Sequence, residues 1–154
     1  ISLMLVPLIL GSPKDKEFAA KITKTLDEFG VPYKMIIASA HKVPEKVLAA
    51  IKEYDAQDSI CYITVAGRSN ALSGFVAANS IHPVIGCPPF ADKVDMFVNI
   101  HSTLQMPSDT PVLTVIDPQN AAMAAIRILS VKDSGLRQKI KDHLLALKKS
   151  FDHA

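Results

Sequence analysis

Tryptophan is absent from this 154-residue chain, and cysteine is limited to Cys61 and Cys87. The two cysteines form no Cys-x-x-Cys pair and no Cys/His cluster, which excludes a disulfide framework and predicts no metal site. Charge of one sign is not in excess either. Seventeen Lys and Arg against 15 Asp and Glu leave a net +2, which excludes a dedicated nucleic-acid binder. Two reduced thiols indicate a cytoplasmic protein.

Long apolar runs are also missing. No run could span a bilayer, so no membrane partner is expected. The apolar opening, residues 1–10, lacks the basic start of a targeting segment and predicts a buried strand. Hydrophobic residues make up 49% of the chain and charged residues 21%, a balance typical of a globular domain. Because no linker or repeat interrupts it, 1–154 is predicted to be a single domain.

Short apolar runs alternate with helical patterns along the chain. The runs are continuous, as in parallel strands covered on both faces, and lie at 8–10, 33–38, 60–65, 84–85 and 112–116. Between them, apolar residues recur at helical spacing, as in Phe18, Ile22, Leu26 and Phe29. This alternation predicts an α/β fold with three αβα layers and a doubly wound parallel sheet of about five strands in flavodoxin-like order. Pro7 suits a central strand poorly, so the first strand is expected to start at or after it.

An extra helix is expected at the C-terminus, over about 134–151. Its apolar stripe comprises Leu136, Ile140, Leu144, Leu147 and Phe151. The stripe extends beyond the five-strand unit and therefore predicts self-association, with an ordinary amphipathic core helix as the alternative. His143 on this helix and His153 after it are expected to be solvated.

Polar loops follow the first three predicted strands, at 11–15, 39–42 and 67–70. In a sheet of order 2-1-3 these loops are neighbours at the carboxyl ends of the strands, so they predict one site. In the first loop, Ser12 either caps a helix or binds phosphate, and Asp15 either complements the helix dipole or binds sugar hydroxyls. Gly11 permits the tight turn that both alternatives need.

The other two loops contain His41 and Arg68. His41 lies between an apolar strand and a helix that begins at Pro44, where a histidine has little packing role, so either proton transfer or a structural loop position fits it. Arg68 follows Gly67 and precedes Asn70, a candidate helix cap. It is either a surface arginine or an anion clamp.

Several motifs occur in order along nearly the whole chain: GS..D, SAHK, AGRSNALSG, CPP, MPS and PQNAA, beginning at Gly11, Ser39, Ala66, Cys87, Met106 and Pro118. This combination resembles the phosphoribosylaminoimidazole carboxylase family of purine biosynthesis. The resemblance implies reversible carboxylation of aminoimidazole ribonucleotide (AIR) by carbon dioxide, with no cofactor and no metal, in an octamer with sites built from several subunits.

The resemblance also implies roles for individual residues. His41 is the expected catalytic proton shuttle. The expected substrate-binding residues are Gly11, Ser12, Asp15, Ser39, Ala40, Lys42, Gly67, Arg68, Ser69, Asn70 and Ala71. Within this set, the first two loops are expected to hold the ribose phosphate, and the third to face the carboxylate or carbon dioxide.

The family has two branches, which differ in these loops. Lys42 and the Arg68-Ser69-Asn70 stretch resemble the branch that takes carbon dioxide directly, called class II, and the mutase branch acting on the nitrogen-carboxylated isomer is the alternative. The chain departs from the family at Lys14, where a second serine is usual, and at Asp109, where glycine is common. These departures keep open a non-catalytic assembly domain. A flavodoxin-like cofactor-binding module is the other alternative, although no aromatic residue falls in a predicted site loop.

Overall fold

The computed structural model describes residues 3–152, and its core is a parallel sheet. The strands are β1 (Met4–Leu10), β2 (Tyr33–Ile37), β3 (Ser59–Ile60), β4 (Tyr62–Val65), β5 (Val84–Gly86) and β6 (Leu113–Thr114). Their order is β2-β1-β4-β5-β6, and β3 pairs with the start of β1. Every pairing is parallel. Since β3 and β4 together form the predicted run 60–65, the predicted doubly wound sheet in flavodoxin-like order is confirmed.

The predicted start of the first strand was wrong, because Pro7 lies in the middle of β1. The ladder to the next strand continues from Leu5, opposite Ile60, to Leu8, opposite Ile63. Pro7 has no N–H to donate, and the facing strand is interrupted at Cys61, between β3 and β4. The missing hydrogen bond therefore divides the neighbouring strand and leaves β1 intact. Residues 1 and 2 of the predicted opening strand lie outside the described residues.

Helices cover both faces of the sheet. They are α1 (Lys16–Phe29), α2 (Pro44–Tyr54), α3 (Ala71–Asn79), α4 (Lys93–Leu104), α5 (Pro118–Ser130) and α6 (Ser134–Phe151). One buried cluster packs α1, α5 and α6 on the sheet, and a second packs α2 and α3 on the opposite face. The three-layer arrangement is thus as predicted. Gly30 ends α1 in the left-handed conformation, with φ of 67°. Within residues 3–152, no helix has both the length and the apolar character to cross a membrane.

The two halves of α6 have different surroundings. Leu136 and Ile140 are buried in the core of the chain, and the Lys139 ammonium donates a 2.9 Å hydrogen bond to the carbonyl of Phe29. His143 packs edge-on against the Phe29 ring, with centroids 5.2 Å apart, and is half-buried, so it is solvated only in part. His153 lies outside the described residues. Further along, Leu147 is 48% exposed and Phe151 72% exposed. The end of the stripe is therefore free for another contact.

Helix α4 was not predicted from the sequence, and its polarity is reversed. Its buried side chains are Asn99 and Thr103, whereas Val94 and Phe97 are 73% and 63% exposed. A helix of a globular protein normally buries its apolar face. Here the polar face lies against the protein instead. Its side chains form hydrogen bonds to the loop after β4 and to the Pro89 carbonyl.

Candidate active site

The three polar loops meet in one cleft at the carboxyl ends of β1, β2 and β4. Its volume is about 900 Å³, within the range of small-molecule sites. The lining includes these expected site residues: Gly11, Ser12, Asp15, Ser39, Ala40, His41, Lys42, Gly67, Arg68, Ser69 and Ala71. In the described part of the chain, no group of three or more His, Cys, Asp or Glu could hold a metal ion.

The first loop turns tightly against the end of β4. The Gly11 N–H donates to the Val65 carbonyl at 2.9 Å, and a Cβ on Gly11 would lie 3.3 Å from that of Ala66. The Ser12 hydroxyl accepts a 3.3 Å hydrogen bond from the Lys14 N–H and so caps the short 3₁₀ turn at 13–15. Ser12 and Asp15 both line the cleft, so capping leaves them available to a ligand.

The Asp15 carboxyl is only partly exposed to water. Burial raises its pKa, and a hydrogen bond with the Ser12 backbone partly offsets that increase. Since it faces the cleft near Lys14, it suits neutral hydroxyl donors better than a phosphate, which it would repel.

The second loop holds its own backbone through Ser39. The Ser39 hydroxyl accepts a hydrogen bond from the Lys42 N–H at 3.3 Å. The backbone carbonyl of Ser39 accepts one from the Val43 N–H at 2.9 Å. His41 is exposed between them at the rim of the cleft. Within residues 3–152, no side chain or backbone group forms a hydrogen bond with its imidazole, so both ring nitrogens can bind a ligand.

The third loop is held by α4. Arg68 has a left-handed backbone, with φ of 57°, and its N–H donates to Asn99 Oδ1 at 2.8 Å. The Ser102 hydroxyl donates to the Arg68 carbonyl and accepts from the Asn70 N–H at 2.9 Å. The Arg68 side chain is exposed and lines the cleft. The backbone of this loop is therefore tied to α4, and its charged side chain is left for a ligand.

Asn70 is placed differently from the other expected binding residues. Its side chain is 6% exposed and is not among the residues that line the cleft. Its Oδ1 accepts from the Ser73 N–H at 3.1 Å, and its Nδ2 donates to Ser73 Oγ at 2.7 Å and Thr103 Oγ1 at 2.9 Å. All the hydrogen-bonding groups of the amide are thus engaged in capping α3 and joining it to α4.

The N–H of Ala71, expected to face a carboxylate, already has a partner. It donates to the Ser69 carbonyl at 3.0 Å. Among the polar side chains of the third loop, those of Arg68 and Ser69 remain at the cleft surface.

The cleft carries more positive than negative charge. The basic residues on its lining are Lys14, Lys21, Lys42 and Arg68, and the acidic residues are Asp15, Glu17 and Asp95. The Asp95 carboxylate accepts from the Ala91 N–H at 2.9 Å, so part of its hydrogen-bonding capacity is used within the protein. This balance favours an anionic ligand with attached hydroxyl groups.

Comparison with known proteins decides the family. The family model described as AIR carboxylase matches residues 5–150. The chain belongs to the AIR carboxylase family. A phosphoribosylaminoimidazole carboxylase of Archaeoglobus fulgidus is 47% identical over 137 residues, which cover 89% of this chain and 75% of that protein. An N5-carboxyaminoimidazole ribonucleotide mutase of Pyrococcus horikoshii is 33% identical over 150 residues, covering 96% and 85%.

A solved structure agrees with the family assignment. The crystal structure of Treponema denticola PurE matches the fold with a TM-score of 0.90 at 40% identity, and the match covers 97% of this chain and 94% of that chain. The fold expected from the sequence is therefore that of a PurE protein. Because both carboxylases and a mutase are among the relatives, membership in the AIR carboxylase family leaves the branch open.

The departure from the family at Asp109 has a structural counterpart. The Asp109 backbone is left-handed, with φ of 62°, the conformation that glycine adopts without steric cost and aspartate better than most residues. It lies in a second, open groove of about 800 Å³ beside Met106. Asp109 thus has the backbone conformation that the glycine expected at this position would favour.

Other residues of the cleft were not expected from the sequence. Phe90 packs edge-on against Phe18, with ring centroids 5.5 Å apart, and both line the cleft. Asn99 from α4 completes the wall beside Gly67. The periodicity of α1 placed Phe18 in the core, whereas the segment with Phe90 and Asn99 carried no motif that pointed to the site.

Proposed function

We propose that this enzyme of the AIR carboxylase family catalyses the reversible carboxylation of 5-aminoimidazole ribonucleotide by carbon dioxide, in de novo purine biosynthesis in the cytoplasm. The product is 4-carboxy-5-aminoimidazole ribonucleotide (CAIR). The observation that carries the proposal is the meeting of His41, Lys42 and Arg68 at one cleft. These residues supply an imidazole that can accept and return a proton and two cations that can bind a nucleotide anion.

The reaction needs a proton transfer that His41 can perform. The amino group of AIR makes ring carbon 4 electron-rich, and this carbon attacks the carbon of CO2. The new carbon–carbon bond forms while an electron pair of one C=O bond moves to oxygen. Carbon 4 then carries both a hydrogen and the carboxylate, and its proton must leave to restore the aromatic ring. A ring nitrogen of His41 accepts that proton, and in the reverse direction returns it.

The remaining cleft residues bind and orient the nucleotide. Ser12, Ser39 and Lys42 hold the ribose phosphate through hydroxyls, backbone N–H groups and an ammonium, while Asp15 accepts from ribose hydroxyls. Arg68 and the Ser69 side chain face the incoming carboxylate. The Phe18–Phe90 pair supplies an apolar part of the lining, which lowers the access of water to captured CO2.

Two features favour the direct carboxylase over the mutase. Lys42 and the Arg68-Ser69-Asn70 stretch resemble class II, and the relatives described as carboxylases of Archaeoglobus fulgidus and Treponema denticola are 47% and 43% identical to the chain. The mutases of Methanocaldococcus jannaschii and Pyrococcus horikoshii are 37% and 33% identical.

The proposal includes self-association into an octamer. The apolar side chains that would be covered are on α4, where Val94, Phe97 and Val98 are at least 60% exposed, and at the end of α6, where Phe151 is 72% exposed. Clusters of exposed apolar residues on a small domain commonly mark contacts between chains. Both lie outside the two core clusters of the subunit.

The proposal is tested by comparing two substrates on the purified protein. One reaction contains AIR with bicarbonate and carbonic anhydrase, and the other contains the nitrogen-carboxylated isomer. We expect enzyme-dependent formation of CAIR only in the reaction that contains AIR, bicarbonate and carbonic anhydrase. Formation only from the isomer would assign the mutase branch, and binding of AIR without turnover of either substrate would assign a non-catalytic domain.

The variant His41→Asn tests the shuttle within the same assay. The amide has a similar size and can still form hydrogen bonds, but it cannot transfer a proton. Turnover is therefore expected to fall by about 10²- to 10⁴-fold, while AIR binding is kept. More than a tenth of wild-type turnover in this variant would show that another group or water carries the proton.

A further inference from the structure

Helix α4 forms hydrogen bonds to the active-site loop through the polar side chains of Asn99, Ser102 and Thr103. Asn99 is 5% exposed, and its amide bridges two segments of the cleft wall. Oδ1 accepts from the Arg68 N–H at 2.8 Å, and Nδ2 donates to the Pro89 carbonyl at 2.8 Å. Three residues further along, Ser102 binds both the Arg68 carbonyl and the Asn70 N–H.

We propose that Asn99 is a positioning residue that sets the orientation of Arg68 for the carboxylation reaction. The inference rests on the proposed function only for what Arg68 binds. The hold itself is a property of the backbone. A left-handed conformation is unfavourable for arginine, so it persists only where surrounding contacts determine it. Asn99 and Ser102 supply those contacts, on the N–H and on the carbonyl of the same residue.

This hold also determines where the Ser69 N–H points. In a trans peptide the N–H of one residue is directed opposite to the carbonyl of the residue before it. Because the Arg68 carbonyl is bound to Ser102 on α4, the Ser69 N–H is directed away from α4. Among the described residues this N–H has no hydrogen-bond acceptor, and Ser69 lines the cleft. Loss of the hydrogen bonds to the Arg68 backbone would therefore let both the Ser69 N–H and the Arg68 guanidinium change orientation.

Gly67 fits Asn99 specifically. A Cβ on Gly67 would lie 3.1 Å from both Cγ and Oδ1 of Asn99, and 3.2 Å from Nδ2. Those contacts are tighter than ordinary packing, and Asn99 cannot withdraw without breaking one of its two hydrogen bonds. The absence of a side chain at Gly67 therefore allows the amide to reach the Arg68 backbone.

The test combines variants at Asn99 and Arg68. Asn99→Ala removes both bonds, whereas Asn99→Asp keeps an acceptor for the Arg68 N–H. Asn79→Ala is the matched control, since the Asn79 amide donates to the Phe75 carbonyl at 2.8 Å outside the cleft. We expect Asn99→Ala to lower kcat/KM for carboxylation by about 10- to 100-fold, the scale of a misplaced active-site group. Asn99→Asp should recover part of this loss, because it keeps the bond to the Arg68 N–H but loses the donor to the Pro89 carbonyl. Asn79→Ala should match wild type.

A double variant separates positioning from general stability. If Asn99 acts mainly through Arg68, the loss in the pair Asn99→Ala and Arg68→Ala should be far smaller than the product of the two single losses. Losses that multiply would overturn the inference, as would wild-type kcat/KM in Asn99→Ala. If Asn99→Ala does not fold, Ser102→Ala tests the other half of the hold by the same non-additivity with Arg68→Ala.

Hydrogen exchange gives a readout independent of activity. Peptides covering 66–71 should exchange faster in Asn99→Ala and remain protected in Asn99→Asp, because the Arg68 N–H keeps an acceptor only in the latter. Unchanged protection in Asn99→Ala would contradict the hold. If the wild-type protein carboxylated no AIR, the proposed function would fail while this experiment still decided whether Asn99 fixes the loop.

Discussion

The hydroxyl of Tyr62 donates a 2.7 Å hydrogen bond to the carboxylate of Asp55, at the amino-terminal ends of the strands. Tyr62 begins β4 and is fully buried. Asp55 follows α2, and it also accepts from the Ser80 hydroxyl at 2.8 Å and the Ile81 N–H at 3.3 Å. This network joins α2, β4 and the segment after α3 at the end of the sheet opposite the cleft.

We predict that Tyr62→Phe lowers the free energy of unfolding by about 1.5–3 kcal/mol, the range for a hydrogen bond to a charged group, without changing turnover. Tyr33→Phe is the control, because the Tyr33 hydroxyl makes only a 3.5 Å exposed contact with Asp27. Denaturant titration of both variants measures the difference. Equal stability of the two would contradict a structural role for the Tyr62 bond.

Stability is expected to decline in alkali. Burial raises the pKa of Cys61 and Cys87 from 9.0 to about 12, and burial with the neighbouring Asp55 raises that of Tyr62 further. The folded state therefore keeps these protons after the unfolded chain has lost them. The free energy of unfolding is insensitive to these groups below about pH 9 and falls as the pH rises through 9 to 12.

Denaturant titrations at pH 8 and pH 10.5 measure this decline. Cys61→Ala and Cys87→Ala remove one titrating thiol each, so the decline should be shallower in each variant even though the lost packing lowers stability at pH 8. A stability that stays constant up to pH 10.5 would contradict the effect of burial.

Arg68→Lys should affect the two nucleotides differently. Lysine keeps the charge but loses the planar fork, so CAIR affinity is expected to fall by about 1–3 kcal/mol. AIR, which lacks the carboxylate, should lose less. Calorimetry with each nucleotide measures both changes, and equal losses would place Arg68 on the phosphate that the two share.

Removal of residues 144–154 should reduce the size of the assembly. The deletion takes away the exposed end of α6, including Leu147 and Phe151, and leaves the buried Leu136 and Ile140 in place. Light scattering on the purified variant measures the mass. The same large oligomer in the truncated chain would show that α6 makes no essential contact between subunits.

The sequence predicted the features that depend on local pattern. Continuous apolar runs identified the strands, and the loop positions of His41 and Arg68 followed from the strand ends, where parallel sheets bring loops together. Pro44 marked the start of a helix through a backbone preference that needs no tertiary information.

The features that were missed depend on contacts distant in the sequence. Pro7 is tolerated because the strand facing it is interrupted at Cys61. Helix α4 escaped prediction because its apolar residues face outward and its buried residues are polar. The Asn70 amide is hydrogen-bonded to Ser73 and Thr103, and neither partner could be identified from the motif.

Exchange of labelled carbon dioxide into CAIR tests the central claim most directly. The protein is incubated with unlabelled CAIR, ¹³C-bicarbonate and carbonic anhydrase, and the label at the carboxylate is followed by mass spectrometry. Direct carboxylation passes through AIR and free CO2, so the account predicts that the label enters CAIR. In His41→Asn the label should enter about 10²- to 10⁴-fold more slowly than in the wild-type protein. CAIR that stays unlabelled while the wild-type protein converts it to the nitrogen-carboxylated isomer would contradict the account.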